Sequence, residues 1–319
     1  MILPKGPWVI VLAGGDGRRL DGAIVLGRRL DRPKQFCCIG GSRSLLQETL
    51  HRAECITDRS HIVVLVRDEH RHWWLNELAH LPSQNVLAQS GNHGTAMAIL
   101  HALVHVLRRD GDPTLVILPS DHSADEETVL IEAISHASQV AAEDRGSLIL
   151  LGVTPAYPET DYGWILPNRD DTGRVRTVSR FVEKPAAYLA AELLAAGALW
   201  NSFIGAGSGW AFTELFSASR RVSVRRYLES SVLQPRSDSE WRSHLRALPG
   251  VDFGRDILQT AMVPLRVLSV PPCGWTDLGT PRRVAQWLEG RGGWTAFAAE
   301  RPTNAQDVPG STSALTVPT

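Results

Sequence analysis

The residues best suited to chemistry lie near the start of the chain, where a short apolar run meets a glycine-rich turn. Val9–Leu12 is typical of a strand buried on both faces, and Gly14–Gly17 places three glycines in the next few positions. Glycines let backbone N–H groups approach a ligand closely, because no Cβ stands in the way. Arg18 and Arg19 follow directly. This combination suits a polyphosphate, which needs many hydrogen-bond donors and compensating positive charge.

Two common phosphate-binding motifs do not fit this turn. A dinucleotide-binding fingerprint requires a third glycine where Leu20 stands, and a Walker loop requires a G-K-[ST] triplet that the sequence lacks. On the glycine turn alone, an ordinary strand-to-helix connection remains an open alternative.

The next motif, Pro33-Lys34-Gln35-Phe36, makes the turn specific. A-G-G-x-G-x-R-L followed by P-K-Q-F resembles the signature of sugar-1-phosphate nucleotidylyltransferases, and P-K-Q-F resembles that of the mannose-1-phosphate guanylyltransferase branch. Segment 21–32 is longer than the family's W-P-L-S-R at that place. The resemblance implies that Arg19 and Lys34 supply catalytic positive charge. It also implies nucleotide contacts from the turn and the strand before it: Leu12, Ala13, Gly14, Gly15 and Gly17.

A second nucleotide-binding segment follows at Asn92-His93-Gly94-Thr95-Ala96. A helix that begins here would offer free N–H groups and the positive end of its dipole to a polar ligand. A plain helix cap is the alternative. The segment resembles the family's N-R-[NG]-T-A, which recognises the base, with His93 in place of an arginine. The resemblance implies nucleotide contacts from Asn92, Gly94 and Thr95.

Two aspartates are the candidate metal ligands. Asp121 leaves a buried strand, in Leu118-Pro-Ser-Asp-His122, at the edge of the sheet where ligands bind. A carboxylate there can hold magnesium, although a turn or cap residue is the alternative. P-S-D-H matches a family motif, and Cys273–Thr280 resembles the family's G-W-S-D-[LV]-G-[ST]. The resemblance implies that Asp121 and Asp277 hold one Mg²⁺ ion.

Three motifs in the second half imply a sugar-phosphate site. Glu159–Gly163 resembles E-T-G-Y-G, Phe181–Pro185 matches a motif that contacts the sugar and its phosphate, and Leu199–Ser202 matches L-W-N-S. Phe203 replaces the glycine that follows L-W-N-S in the family. The sugar-phosphate residues implied are Tyr162, Gly163, Glu183, Lys184 and Asn201. For Glu183 and Lys184 the alternative is an exposed charge pair at a strand end.

The elements that must position these residues alternate between strand and helix as far as Val153. This pattern predicts an α/β fold with a doubly wound, mostly parallel sheet, similar to the Rossmann-like nucleotidyltransferase fold with an inserted sugar-side lobe. Ser123-Ala-Asp-Glu126 is predicted to form a capping box at a helix start. We expect one nucleotidyltransferase domain over residues 1–290, divided near residue 153 into a nucleotide half and a sugar-phosphate half (154–290), and a loose tail over 291–319.

Composition narrows the partners and the setting. The net charge of −1 gives no support to a nucleic-acid or acidic-membrane partner, and no apolar stretch is long enough to span a membrane. The four cysteines have no zinc or disulfide spacing, which favours reduced thiols and a cytoplasmic setting, and no signal peptide is expected. The expected partners are small-molecule substrates, and a homodimer is one open oligomeric state.

The expected reaction is transfer of a nucleotidyl group from GTP to mannose-1-phosphate, by a monofunctional enzyme without the isomerase domain of the long bifunctional relatives. Two alternatives stay open. One is the same chemistry on another pair, such as glucose-1-phosphate with UTP or dTTP. The other is a non-catalytic nucleotide-sugar sensor. A sensor would not need Arg19, Lys34, Asp121 and Asp277 together, so their presence favours an enzyme.

Overall fold

The computed structural model describes residues 6–15, 24–25, 28–29, 32–39, 41–233 and 249–290. Its strands in chain order are β1 (Trp8–Ala13), β2 (Ile24–Val25), β3 (Arg28–Arg29), β4 (Ile62–Arg67), β5 (Val86–Gln89), β6 (Thr114–Pro119), β7 (Leu148–Val153), β8 (Gly163–Pro167), β9 (Val175–Glu183), β10 (Leu199–Ser208) and β11 (Leu265–Val270). Its helices are α1 (Leu45–Glu54), α2 (Arg71–Glu77), α3 (Thr95–Leu107), α4 (Glu127–Glu143), α5 (Ala187–Ala195), α6 (Gly209–Ser217), α7 (Val222–Leu233) and α8 (Pro281–Gly290). None of these helices is long and apolar enough to cross a lipid bilayer. The predictions for Gly17, Arg19 and the tail over 291–319 fall outside the described residues.

The central strand β1 is apolar along its length because both of its faces are covered. It lies between β4 and β6 and is parallel to both. Val9 and Val11 pack into the core on one face of the sheet, while Trp8 and Ile10 pack into the core on the other face, which includes α3. Ala13 therefore ends the strand at the edge of the sheet where the glycine turn begins.

The sheet runs in the order β5-β4-β1-β6-β10-β7-β11-β9-β8. The α/β class is confirmed, and β5, β4, β1 and β6 are parallel as predicted. The prediction of a mostly parallel sheet is wrong for the second half. There β10 runs antiparallel to β6 and β7, and β8 and β9 are antiparallel to each other. A further pairing of β8 with β10 closes five strands into a small barrel-like ring. Strands buried on both faces have the same apolar pattern in either direction, so the sequence does not reveal this change.

One predicted capping box is wrong, and the reason bears on the site. Ser123 does not cap α4, which begins at Glu127 without a side-chain cap. Instead the backbone of Ser123 pairs with that of Thr276: each N–H donates to the other carbonyl, at 3.0 and 2.9 Å. The segment after Asp121 is therefore held by tertiary contact rather than by a helix start.

Candidate active site

The glycine turn is held in place by the side chain of Gln35. Its Nε2 donates to the carbonyl oxygens of Ala13 and Gly15, at 3.0 and 2.9 Å. Gln35 is buried, and the Ser120 hydroxyl fixes the preceding strand residue by donating to the Leu12 carbonyl at 2.7 Å. The P-K-Q-F motif thus braces the turn from the side, a role that sequence reasoning did not assign to Gln35.

Lys34 connects three motifs that are far apart in the chain. Its side chain is 6% exposed, and Nζ lies 2.7 Å from Oδ2 of Asp121. The same ammonium donates to the backbone carbonyl of Asp277. The structure therefore brings together Lys34, Asp121 and the loop of Asp277. The ion pair with Asp121 and the hydrogen bond to the Asp277 carbonyl fix the direction of the lysine side chain.

The loops that carry the two aspartates are joined by backbone contacts. Besides the pairing of Ser123 with Thr276, the N–H groups of Asp125 and Glu126 donate to the Cys273 carbonyl, at 2.8 and 3.1 Å. Gly274 follows with φ of +64°, and a Cβ on it would overlap the Asp125 carboxylate. Glycine is required there by both its conformation and the close approach.

The carboxylate of Asp277 is already surrounded by donors. Its Oδ1 accepts hydrogen bonds from the Tyr162 hydroxyl at 2.8 Å and the Gly279 N–H at 2.9 Å, and lies 3.0 Å from Nε of Arg283. Arg283 also pairs with Glu159 at 2.8 Å. Burial, and then the Asp277 charge, raise the pKa of Tyr162, so its hydroxyl keeps its proton and remains a donor. Sequence reasoning missed Arg283, which lies in α8 without a recognisable motif.

The two acids differ in how well they suit magnesium. Asp121 is 37% exposed at the cleft and fits the usual arrangement, in which one or two carboxylates share the ion with phosphate oxygens and water. Asp277 would have to share Oδ1 with Tyr162 and Gly279, or use Oδ2, which contacts Arg283 at 3.4 Å. Among the described residues no group of three or more His, Cys, Asp or Glu side chains is arranged to hold a metal. A magnesium ion held by these two acids would need further ligands from the substrates or water.

Next to Asp121, the His122 side chain is mostly shielded from solvent, with 12% of it exposed. Its ring meets Trp275 edge-on, with centroids 5.2 Å apart, and burial lowers its pKa to about 4.

The start of α3 forms the opposite wall of the cleft. Gly94 has φ of +82°, and a Cβ on it would overlap the backbone of Val251. The Val251 carbonyl accepts the Ala96 N–H at 3.1 Å, and the Thr95 hydroxyl accepts the Phe253 N–H at 3.0 Å. Of the N–H groups predicted to be free at this helix start, that of Ala96 is therefore already hydrogen-bonded within the protein.

Segment 250–256, which packs against the start of α3, was not identified from the sequence. The one local feature that could have indicated it is Asp252. Its Oδ1 accepts the N–H of Arg255 at 2.8 Å and caps a π-helical turn, Phe253–Ile257. Such turns occur frequently at functional sites.

Between these walls lies a cleft of about 650 Å³, which suits a small-molecule ligand. Its lining includes most of the predicted nucleotide-binding residues that the structure describes, together with Asp121, Gln89 and the segment 250–256: Leu12, Gly14, Gly15, Asn92, Gly94, Thr95, Asp121, Gln89, Val251, Asp252 and Arg255.

Gln89 ends β5 and is 6% exposed, and its Nε2 has no hydrogen-bond partner in the described part of the chain. A buried amide without a partner is costly, so Gln89 is a candidate contact for a bound base.

The predicted sugar-side residues come together next to this cleft. The Glu183 carboxylate packs against Gly163 and Gly254 so closely that a Cβ on either glycine would overlap it, and a Cβ on Gly163 would also meet Asn201. Lys184 Nζ is 3.8 Å from Glu183 Oε1. The Tyr162 carbonyl accepts the Lys184 N–H at 3.1 Å, whereas the Tyr162 hydroxyl is directed to Asp277. Burial, and then the Asp252 charge, raise the pKa of Glu183 from 4.5 to about 7.

Backbone strain is concentrated in this site. Within the described residues the non-glycine positions with positive φ are Lys184 (46°), Phe203 (62°) and Leu278 (48°). Each is a predicted site residue or lies within two residues of one. Such conformations cost on the order of 1–3 kcal/mol and persist where the surrounding structure imposes them.

The comparison with known proteins matches this geometry. The nucleotidyl transferase family matches residues 8–287. The chain belongs to this family. It is 39% identical over 227 residues to the xanthan biosynthesis protein XanB of Xanthomonas campestris pv. campestris strain B100, covering 70% of this chain and 44% of that protein. It is 36% identical over 208 residues to an Escherichia coli mannose-1-phosphate guanylyltransferase, covering 63% and 42%. The chain thus spans less than half the length of these relatives.

A solved structure extends the match to the fold. The Thermus thermophilus protein described as a mannose-1-phosphate geranyltransferase superposes with a TM-score of 0.73 at 25% identity, over 85% of this chain and 76% of that one. The chain therefore shares the fold of this solved structure over most of its length.

Proposed function

We propose that this nucleotidyl transferase forms GDP-mannose and pyrophosphate from GTP and mannose-1-phosphate. The observation that carries the proposal is Lys34, whose ammonium joins Asp121 and the Asp277 loop beside the glycine turn. This arrangement supports the proposal, because a fixed cation beside the glycine turn would neutralise phosphates bound there. The choice of GTP and mannose-1-phosphate is supported by the name of the E. coli relative and by the P-K-Q-F motif.

The reaction is an in-line displacement at phosphorus. A phosphate oxygen of the sugar-1-phosphate forms a bond to the α-phosphorus of the nucleotide, and the bond from that phosphorus to the bridging oxygen breaks, so pyrophosphate leaves with the electron pair. The attacking oxygen is already an anion, so no general base is needed. The protein must position two highly charged reactants and neutralise the developing charge. Lys34 supplies charge for this, with Arg19 proposed beside it.

Magnesium would add Lewis-acid stabilisation of the phosphates when bound. Asp121 would hold the ion together with substrate oxygens. Asp277 is proposed as the second protein ligand, and its contacts with Tyr162 and Arg283 fix the direction of its carboxylate.

The sugar phosphate would bind on the far side of the cleft. Lys184 would neutralise its phosphate, and Asn201 and Glu183 would hydrogen-bond its hydroxyl groups. A half-buried site that bonds hydroxyls discriminates strongly against sugars that present them differently, because its polar groups are then left unpaired.

A panel of nucleoside triphosphates and sugar-1-phosphates tests the proposal. Pyrophosphate release should be fastest with GTP and mannose-1-phosphate, with kcat/KM at least about tenfold above any other pair, which corresponds to roughly 1.4 kcal/mol of discrimination. Faster turnover of glucose-1-phosphate with UTP or dTTP would replace the proposed substrates. No pyrophosphate from any pair would favour the non-catalytic sensor.

Glu183 should make stability depend on pH. Its folded pKa is about 7 against 4.5 in the unfolded chain, so its ionisation favours the unfolded state. The native protein should therefore lose stability relative to Glu183→Gln as pH rises from about 5 to 8, by on the order of 2 kcal/mol. Denaturant unfolding at several pH values measures this.

Glu192→Gln, at an exposed position in α5, is the matched control and should follow the native protein. Parallel stability profiles for the native protein and Glu183→Gln would show that Glu183 titrates normally.

A further inference from the structure

Phe203 has a backbone conformation that is unfavourable for an aromatic residue. Its φ of +62° lies in the left-handed region, where a bulky side chain is a genuine outlier. The residue sits in an irregularity of β10, where the pairing with β7 shifts between Asn201 and Gly205. The Phe203 N–H donates to Oδ1 of Asn201 at 3.2 Å, which holds the backbone in this turn. Glycine would adopt the same conformation without strain.

The strained position turns the ring toward the cleft rather than fully into the core. Phe203 is only half-buried and lines the 650 Å³ cleft together with Ala98 of α3 and Val251. On its inner side the ring leans on Phe253, with centroids 6.0 Å apart. Phe253 is buried and is itself tied to Thr95 through its N–H. A rigid apolar surface therefore faces a cleft whose lining also includes the polar side chains of Asn92, Asp121 and Arg255.

We propose that Phe203 is a specificity-determining residue whose ring packs against the nucleoside part of the bound nucleoside triphosphate. This inference rests on the proposed function. A phenyl ring cannot neutralise phosphate, but its face packs well on a base or a ribose.

The neighbours of the ring assign it to the nucleotide rather than to the sugar phosphate. The cleft it lines contains the glycine turn and the start of α3. The sugar-side residues Gly163, Glu183 and Lys184 do not line that cleft. The ring therefore contributes its exposed face to the cleft that contains the predicted nucleotide-binding residues.

Two substitutions distinguish the effect of the aromatic ring from the effect of the strained backbone. Phe203→Leu keeps the strained backbone but removes the aromatic face, whereas Phe203→Gly removes both. Calorimetric titration with GTP and Mg²⁺ should show about tenfold weaker binding for each variant. The KM for mannose-1-phosphate should stay within about twofold.

Trp210→Leu is the matched control, because Trp210 is an exposed aromatic residue just after β10 at the opposite edge of the sheet. It should leave GTP binding unchanged. Unchanged GTP binding in both Phe203 variants, with normal turnover of the native protein, would overturn this inference alone. A rise confined to the KM for mannose-1-phosphate would also overturn it. Native protein that binds no nucleoside triphosphate would overturn the proposed function as well.

Discussion

Replacing Lys34 with alanine is expected to lower kcat at least about a hundredfold. The Lys34 ammonium is buried, is directed by Asp121 and the Asp277 carbonyl, and lies beside the glycine turn. Losing one fixed charge at a developing negative charge costs on the order of 3 kcal/mol in the transition state. Steady-state kinetics of pyrophosphate release, with saturating GTP and mannose-1-phosphate, measures the effect.

A second substitution at the same position sharpens this test. The chain uses arginine for almost all of its cations, yet two of its three lysines, Lys34 and Lys184, lie in the proposed site. Lysine is a compact point charge, whereas arginine is a broad planar fork. Lys34→Arg should therefore recover only a small part of the activity, because the guanidinium does not fit the same buried position.

The control for Lys34 is Arg59→Ala, which removes a cation that is 57% exposed and paired with Glu54. It should leave kcat unchanged. Near-normal turnover of a folded Lys34→Ala variant would remove Lys34 from the mechanism. The melting temperatures of all three variants should stay within a few degrees of the native value, so that the kinetic effect is not a folding effect.

Asp121→Asn and Asp277→Asn are each expected to reduce turnover at least about a hundredfold, since a bound magnesium supplies several kcal/mol of charge stabilisation. The double variant should be little worse than either single one, because residues that act as one unit are not additive. Excess chelator should abolish turnover of the native enzyme, and added Mg²⁺ should restore it. Multiplying effects of the two substitutions would mean that the acids serve different functions, and full activity in excess chelator would exclude the metal.

The two substitutions should differ in their effect on the free energy of unfolding. This difference distinguishes an aspartate that only binds a ligand from one that also holds neighbouring residues in place. Asp277 is a buried acceptor for Tyr162, Gly279 and Arg283, so Asp277→Asn should also lower the free energy of unfolding by about 1–3 kcal/mol. Asp121 is partly exposed, and Asp121→Asn should cost little. Asp112→Asn, a 59% exposed residue paired with Arg145, is the control for both measurements.

The sequence by itself determined the chemistry-bearing residues and the strands that carry them. The apolar run of β1, the glycines after it and the acid at the end of β6 are local patterns, and local patterns fix which residues leave a buried strand at the ligand edge. The resemblance to a family then linked P-K-Q-F with the distant aspartates, and the structure places Lys34, Asp121 and the Asp277 loop together.

Only the tertiary structure decided how those parts are held. Ser123 has the pattern of a helix cap, but its backbone forms hydrogen bonds with that of Thr276. A local sequence pattern cannot reveal a partner that far along the chain. The antiparallel insertion of β10 is hidden for a similar reason, because a strand buried on both faces carries no sign of direction. The roles of Arg283, Gln35 and segment 250–256 depend on contacts with distant parts of the chain, and such contacts leave no periodic pattern in the sequence. These roles, and the strained backbone of Phe203, result from packing between elements, which the spacing of residues in the sequence does not predict.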